Sequence, residues 1–364
     1  MNRFPVPVVL GQTAVGKTEA AVEAACALRG EIVSADAMQV YRQMNLATAK
    51  PTAEQRRRAP HHLVDILDIS EPYSVARFRN LALDLILEIR RRGRLPLVVG
   101  GSALYIKALV DGLSAGPPPN PAFRKLLLEQ EEKEGHGFCF RQLMEADPET
   151  ARRLHRNDIK RIVRALEVIE TTGRSISSQQ ADWARASESS LWEGPEEGGF
   201  ERDGDGEVLM PEYAEHRPRP RGDYLLIGLR RNREDLYARI DRRVEKMFAA
   251  GLVEETRLLI REGARDHRVA WQALGYKEIE KYLSGECTLD EARDRLAAAT
   301  RHFARRQMTW WRRDPRIRWL EIAPDEPAAA VGGRIRDLVL GREEPSVSEG
   351  DGGAASRGSG TARG

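Results

Sequence analysis

Short apolar runs alternate with helical periodicities through the first hundred residues. Val6-Pro7-Val8-Val9-Leu10 reads as a buried strand, and the alanine-rich Glu19–Leu28 as the helix after it. Glu31-Ile32-Val33-Ser34 reads as a second strand ending at Asp36, and His62–Leu67 as a third. Val75–Arg92 carries Phe78, Leu81, Leu85 and Ile89 on one helical face. Its C-terminal end is basic, where the helix dipole favours cations. Leu95–Val99 is a further apolar strand stopped by Gly100-Gly101, and Ala103–Val110 a helix. This is the rhythm of a parallel sheet flanked by helices.

Pro117-Pro118-Pro119 breaks that rhythm, and from Pro121 to Thr172 the pattern predicts helix almost throughout. Within it, Asn157–Glu170 sets Ile159, Ile162, Val163, Leu166 and Ile169 on one face and leaves Lys160, Arg161 and Arg164 largely off it. Asn157 or Asp158 suits the N-cap and Gly173 the C-cap. The segment 188–220 is acidic, rich in glycine and proline, and reads as loosely ordered. Order returns with Tyr224–Leu229 as a strand, Glu234–Ala250 as an amphipathic helix and Leu289–Trp311 as a long helix. A Gly/Ser/Ala-rich tail follows from Glu343. The plan is a core (1–118), a helical insertion (119–180), an acidic insert (181–221), a core continuation (222–340) and a tail (341–364).

Composition narrows the class. Among the 364 residues no apolar run approaches the roughly 20 needed to span a bilayer, and the N-terminus leads straight into the first strand without a signal-peptide pattern. Cys26, Cys139 and Cys287 lie far apart and form no CxxC pair. The expectation is a reduced, cytoplasmic protein. The net charge of +2 conceals an asymmetry, because residues 187–215 hold ten acidic side chains against Arg202 alone, leaving the rest at +11. Such an excess suits a polyanionic partner.

The first chemistry lies between the first strand and its helix. Gly11-Gln12-Thr13-Ala14-Val15-Gly16-Lys17-Thr18 fits the P-loop pattern. Loop and helix N–H groups surround a phosphate, Lys17 adds charge, and the Thr18 hydroxyl suits Mg²⁺. The expected fold is therefore α/β, a P-loop NTPase-like parallel sheet flanked by helices, with an inserted all-helical domain. Asp36 falls just past the second strand, on the sheet edge where ligands bind in open α/β folds. Residue type and position leave it open as a general base, a magnesium ligand or a turn residue. The strand Leu95–Val99 ends in Gly100-Gly101-Ser102 rather than in the acidic residue that NTPases and kinases use to organise Mg²⁺, and no Asn-Lys-x-Asp guanine signature is present.

Blocks beyond the P-loop carry a resemblance. They are Asp36-Ala37-Met38-Gln39-Val40-Tyr41-Arg42, Thr48-Ala49-Lys50-Pro51-Thr52, His61-His62-Leu63-Val64-Asp65 and Val98–Tyr105. They continue with Arg161-x-x-Arg164-Ala165-Leu166-Glu167, Gln272–Glu278 and Thr300-Arg301-x-x-x-Arg305-Arg306-Gln307-x-Thr309-Trp310. In this order they resemble the tRNA dimethylallyltransferases, also called tRNA isopentenyltransferases, over nearly the whole ordered chain.

The resemblance implies transfer of a dimethylallyl group from dimethylallyl diphosphate to the exocyclic N6 amine of the adenosine 3′ of the anticodon, in tRNAs reading U-starting codons. It implies that Gly11 to Thr18 and Arg233 hold the diphosphate, with Mg²⁺ at Thr18, and that Asp36 and Ser102 are catalytic. It implies that Asp36, Ala37, Met38, Gln39 and Ser102 line the pocket for the base, and that Arg124, Lys160, Arg161, Ile162, Val163 and Arg164 bind tRNA. A monomer is expected. Ser102 stands where the family usually has Thr, Ala37 where it has Ser, and Gln12 where it has Pro. The tail has no cysteine, so the zinc finger of some relatives is not read here.

Two other classes use the same loop. A small-molecule kinase calls for a strand-end Asp and an arginine-rich lid, and a non-catalytic RNA-binding protein has no need of Asp36 and Ser102 beside the cradle. His61-His62 reads as a packed or capping pair rather than as metal ligands, since no third ligand stands at useful spacing. Trp310-Trp311 sits near Arg312-Arg313, where stacking on nucleic acid is conceivable, but the spacing of Phe303, Gln307 and Trp310 predicts core packing.

Overall fold

Runs that are apolar at every position make a strand with no wet face, and such strands fit a parallel sheet covered on both sides. The computed structural model describes residues 4–112, 116–117, 119–178, 224–267 and 269–342. Its strands are β1 (Val6–Gly11), β2 (Gly30–Ala35), β3 (His61–His62), β4 (Leu95–Gly100), β5 (Tyr224–Arg230) and β6 (Arg318–Glu321). They form one sheet in the order β3-β2-β4-β1-β5-β6, with every pairing parallel. β1, β2 and β4 are buried at every residue.

Alternate side chains of β1 enter two cores. Val6, Val8 and Leu10 join Phe78, Ala82 and Ile89 of α3 (Val75–Arg91) on one face. Val9 joins Ala21 and Val22 of α1 (Lys17–Leu28) and Val331 and Ile335 of α13 (Ala328–Val339) on the other. The remaining helices of this unit are α2 (Ala53–Arg58), α4 (Ala103–Val110), α9 (Arg233–Ala249), α10 (Leu252–Arg261), α11 (Tyr276–Leu283) and α12 (Leu289–Trp311).

The chain divides into two units, Met1–Val110 with Asp223–Gly364, and Asp111–Gly222. The second contains α5 (Pro121–Glu134), α6 (Phe138–Ala146), α7 (Pro148–Arg153) and α8 (Ile159–Thr172), packed around Leu127, Cys139, Leu143, Ile162 and Leu166. Asp158 caps α8 by accepting from the Arg161 N–H, and Gly173 ends it at a φ of 66°. The expected acidic insert and tail lie outside the described residues.

One strand is shorter than its pattern. His62–Leu67 predicts six residues of strand, but β3 stops at His62 because Leu63 and Asp65 both take left-handed backbone at φ 60°. Strand geometry does not survive such residues. Beyond them the backbone leaves β2 and pairs with the turn after Asp36: the N–H groups of Asp65, Ile66 and Leu67 donate to the carbonyls of Gln39 and Val40 at 2.9–3.1 Å, and side chains add to these bonds. Lys50 donates to the backbone carbonyl of Tyr41 at 2.5 Å and of Arg42 at 2.8 Å and pairs with Asp65, which also accepts from Arg56 at 2.6 Å.

Candidate active site

The C-terminal ends of β1, β2 and β4 are level, since Leu10 and Ala35 both register with Gly100. Gly11, Asp36 and Gly101 therefore emerge on one edge of the sheet. A cavity of about 670 Å³ opens there, and its wall includes Thr13, Lys17, Thr18, Asp36, Gln39 and Gly101.

On the loop side, Gly11, Ala14 and Gly16 have φ of 147°, 63° and 103°. Gly16 caps α1 without a side-chain hydrogen bond, so the first N–H groups of the helix keep their capacity for an anion. Lys17 curls back to donate to the carbonyls of Gly11 at 3.1 Å and Gln12 at 2.7 Å. Burial, and then the charge of Arg243, push the Lys17 ammonium down to about 8. Arg243 donates to the Thr13 hydroxyl at 3.1 Å, and burial holds its guanidinium below the ordinary value against the pull of Asp36 and Glu19. Arg239 donates to the Ala14 carbonyl at 2.9 Å, and Arg231 to the Val15 carbonyl at 2.9 Å. Lys17, Arg239 and Arg243 thus crowd positive charge at one end of the cavity, an arrangement that a polyanion neutralises.

Asp36 lines the same cavity. Its Oδ1 accepts from the N–H groups of Met38 at 2.8 Å and Gln39 at 3.2 Å. The turn fixes the carboxylate and leaves Oδ2 without a protein hydrogen bond among the described residues. The Ser102 hydroxyl accepts from the Ala37 N–H at 3.3 Å, tying the end of β4 to the Asp36 turn. Neither Ser102, Ala37 nor Met38 lines the cavity. Gln39 does, but its amide is engaged by protein: it accepts from the Ser34 hydroxyl at 3.1 Å and donates to the carbonyls of Thr48 and Ala49 at 3.2 Å each.

Other expected residues divide in the same way. Arg233 lies off the cavity with its guanidinium 5.3 Å from the Tyr237 ring centre. In the helical unit Lys160 and Arg161 are exposed, whereas Ile162 and Val163 are buried. Arg124 and Arg164 both pair with Glu167, which is fully buried. Burial alone would raise the Glu167 carboxyl, but hydrogen bonds from Arg124, Arg164 and the Asn120 N–H outweigh it and bring it down to about 2. His61 Nδ1 meets the Ala59 carbonyl at 2.8 Å, and His62 Nε2 meets Glu31 at 2.7 Å. Core packing of Trp310 is overturned: it is 47% exposed, while Trp311, one residue on, is buried. α12 turns its inner face through Ala304, Gln307, Met308 and Trp311, and a step of about 100° carries Trp310 outward.

Sequence reasoning missed Arg243 and the reach of Arg239 and Gln307. The first two fall four residues apart, so they share a face of α9. That spacing, within the amphipathic helix read over Glu234–Ala250, is the signal that could have found them.

A sequence model of the IPP transferase family matches residues 39–314. The chain is 42% identical over 320 residues to tRNA dimethylallyltransferase 2 of Geotalea uraniireducens strain Rf4, covering 88% of this chain and 93% of that one. It is 42% identical over 326 residues to the tRNA dimethylallyltransferase of Nocardioides sp. strain JS614, covering 90% and 93%. The crystal structure of a tRNA isopentenylpyrophosphate transferase from Bacillus halodurans aligns with a TM-score of 0.61 at 35% identity, over 93% of this chain and 98% of that one. A eukaryotic dimethylallyltransferase acting on tRNA shares the fold, with a TM-score of 0.69 at 24% identity over 93% and 80%. With a sheet-edge cradle, a fixed carboxylate and kinship over nearly its whole length, the chain belongs to the tRNA dimethylallyltransferase family of transferases.

Proposed function

We propose that the chain transfers a dimethylallyl group from dimethylallyl diphosphate to the N6 amine of the adenosine 3′ of the anticodon, in tRNAs reading U-starting codons. The observation that carries the reading is one cavity lined both by a cationic cradle at Lys17, Arg239 and Arg243 and by a fixed carboxylate, Asp36.

The chemistry follows from that pairing of charges. The C1–O bond of the donor breaks and its electron pair leaves with diphosphate, while N6 bonds to C1. Negative charge grows on the departing oxygens, where the loop N–H groups, Lys17 and Arg243 stabilise it. An aromatic amine is a weak nucleophile, and Asp36 Oδ2 accepts its proton, an effect worth on the order of 10²–10⁴-fold. Mg²⁺ fits the hard oxygen of the Thr18 hydroxyl on the cavity wall, which would hold it beside the diphosphate. When bound, the ion adds positive charge to the leaving group.

In the helical unit, exposed Lys160 and Arg161, the latter also paired with Asp158 at 3.3 Å, are the cations that meet RNA phosphates, with Arg124 and Arg164 holding the helices that present them. The proposal includes action as a monomer in the cytoplasm.

The test is incubation with labelled dimethylallyl diphosphate and unmodified tRNA, followed by nuclease digestion and mass spectrometry of the nucleosides. Label in N6-prenylated adenosine next to the anticodon of U-codon tRNAs is the expected result. Label elsewhere in the RNA would overturn the acceptor assignment, and no label the activity.

A further inference from the structure

Gln307 lies on α12, far along the chain from the loop and from the strand ends, and is 5% exposed. Its Oε1 accepts from the Thr13 N–H at 2.7 Å, and its Nε2 donates to the Gly101 carbonyl at 2.9 Å. The two neighbours fix the amide orientation, since an N–H only donates and a carbonyl only accepts. One side chain therefore spans the diphosphate loop and the segment after β4. Gly101 precedes Ser102, whose hydroxyl holds the Ala37 N–H beside Asp36. A continuous path of hydrogen bonds and short backbone segments thus runs from Thr13 through Gln307, Gly101 and Ser102 to the Asp36 turn.

Two further features make this a built contact. Gln12 donates its side-chain amide to the Ala304 carbonyl at 3.0 Å, locking the loop to the same helix one turn earlier. At Gly101, a Cβ would lie 2.4 Å from Gln307 Nε2 and 3.5 Å from Lys17 Nζ. Only glycine admits the amide there.

We infer that Gln307 is a positioning residue that sets the separation between the diphosphate cradle and the carboxylate that activates the amine, an inference that rests on the function proposed above. Gln307 reaches the cavity wall, but both ends of its amide are engaged by protein, at Thr13 and Gly101. Transfer requires N6 and C1 at roughly 3–3.5 Å, and an error of about 1 Å costs on the order of 10²-fold in rate. A side chain bonded at both ends to the two halves of the site is suited to hold that distance. A residue serving only the cradle would act on donor binding, and one serving only packing would act on stability.

The experiment measures prenyl transfer at saturating donor and unmodified tRNA, alongside thermal unfolding and pyrophosphate affinity. Gln307→Glu keeps the length and the acceptor for Thr13 but sets a carboxylate oxygen against the Gly101 carbonyl; Gln307→Met removes both bonds. Both are expected to lower kcat roughly 10- to 100-fold, with KM for each substrate and pyrophosphate affinity changed less than about threefold. Gly101→Ala, which displaces the amide, is expected to give the same kcat loss as Gln307→Met. Gly101→Ala with Gln307→Ala is expected to lose no more than Gln307→Ala alone, as coupled residues do. Variants of unchanged kcat, a loss confined to donor KM, or additive losses would overturn the inference while leaving the function intact. No transfer by the unaltered protein overturns the function and the inference with it.

Discussion

The guanidinium of Arg124 closes on the carboxylate of Glu167 with two hydrogen bonds, at 2.7 and 2.8 Å. Arg164 takes the same carboxylate from α8 and also donates to the Pro117 carbonyl at 2.7 Å. Two arginines that resemblance assigns to RNA thus serve first as ties between α5, α8 and the segment before them. Glu167→Ala is expected to destabilise the helical unit by roughly 2–3 kcal/mol, since it strands two partly buried guanidinium groups. Urea unfolding followed by circular dichroism reads the loss.

The same carboxylate gives an acid dependence. Glu167 is held at about 2 when folded against an ordinary value of 4.5. A depressed carboxyl contributes stability that is present above its unfolded value and lost as protons bind the native state. The helical unit is expected to weaken as the pH falls from about 4.5 towards 2, and Glu167→Gln to flatten that stretch of the stability profile. Urea midpoints across this window test it.

RNA affinity separates exposed Lys160 and Arg161 from the arginines tied to buried Glu167. Lys160→Ala with Arg161→Ala is expected to weaken tRNA binding without altering the fold, and to reduce the slope of log affinity against log salt by about 1–2. Arg124→Ala is expected to lower the unfolding midpoint. Filter binding at several salt concentrations, set beside thermal melts, distinguishes the two outcomes.

Lys17 makes donor binding sensitive to alkali. Its ammonium, held at about 8 by burial and by Arg243, loses its charge as the pH rises through that value. Pyrophosphate affinity is expected to be flat below about pH 8 and to fall above it, with proton uptake on binding near pH 8–9. For the free protein the sign is opposite: the unfolded state binds the extra proton between about 8 and 10.5, so stability rises with pH across that window. Arg243→Met removes the second cause of the shift, so the Lys17 titration is expected to move upward while donor affinity drops roughly 10-fold or more. Calorimetry in buffers of different ionisation enthalpy measures both.

Asp36→Asn retains an acceptor for the Met38 and Gln39 N–H groups but cannot take a proton. Transfer is expected to slow on the order of 10²–10⁴-fold with tRNA affinity retained. Single-turnover kinetics at saturating substrates checks it, and near-normal turnover would remove Asp36 from the role of base.

Much of this site could be read locally. The loop, Asp36 and the three strands that carry them lie in continuous stretches whose patterns need no partner to be recognised. Arg243 and Gln307 are different, because they reach Thr13 across 230 and 294 residues of sequence. Nothing in their own surroundings distinguishes a helical arginine or glutamine that faces a cavity from one that faces solvent. Trp310 failed for a related reason: a periodicity of three or four defines a stripe, but its edge is set by the neighbour it packs against. The strand after His62 failed because left-handed backbone at Leu63 and Asp65 turns the chain away from β2, towards carbonyls of Gln39 and Val40 that its own pattern does not reveal.

The pairing of β1 with β5 has a consequence for how the protein comes off the ribosome. Val8 lies beside Leu226, so the central strand of the sheet emerges more than two hundred residues before its neighbour. The helical unit, with its own apolar core, is complete in the nascent chain while β1 still has an open edge. Contacts of such sequence separation form late and leave strand edges exposed to aggregation in the interval. Because Gln307 closes the loop from the far end of the chain, a nascent polypeptide stopped before α12 carries the phosphate-binding sequence without a finished active site.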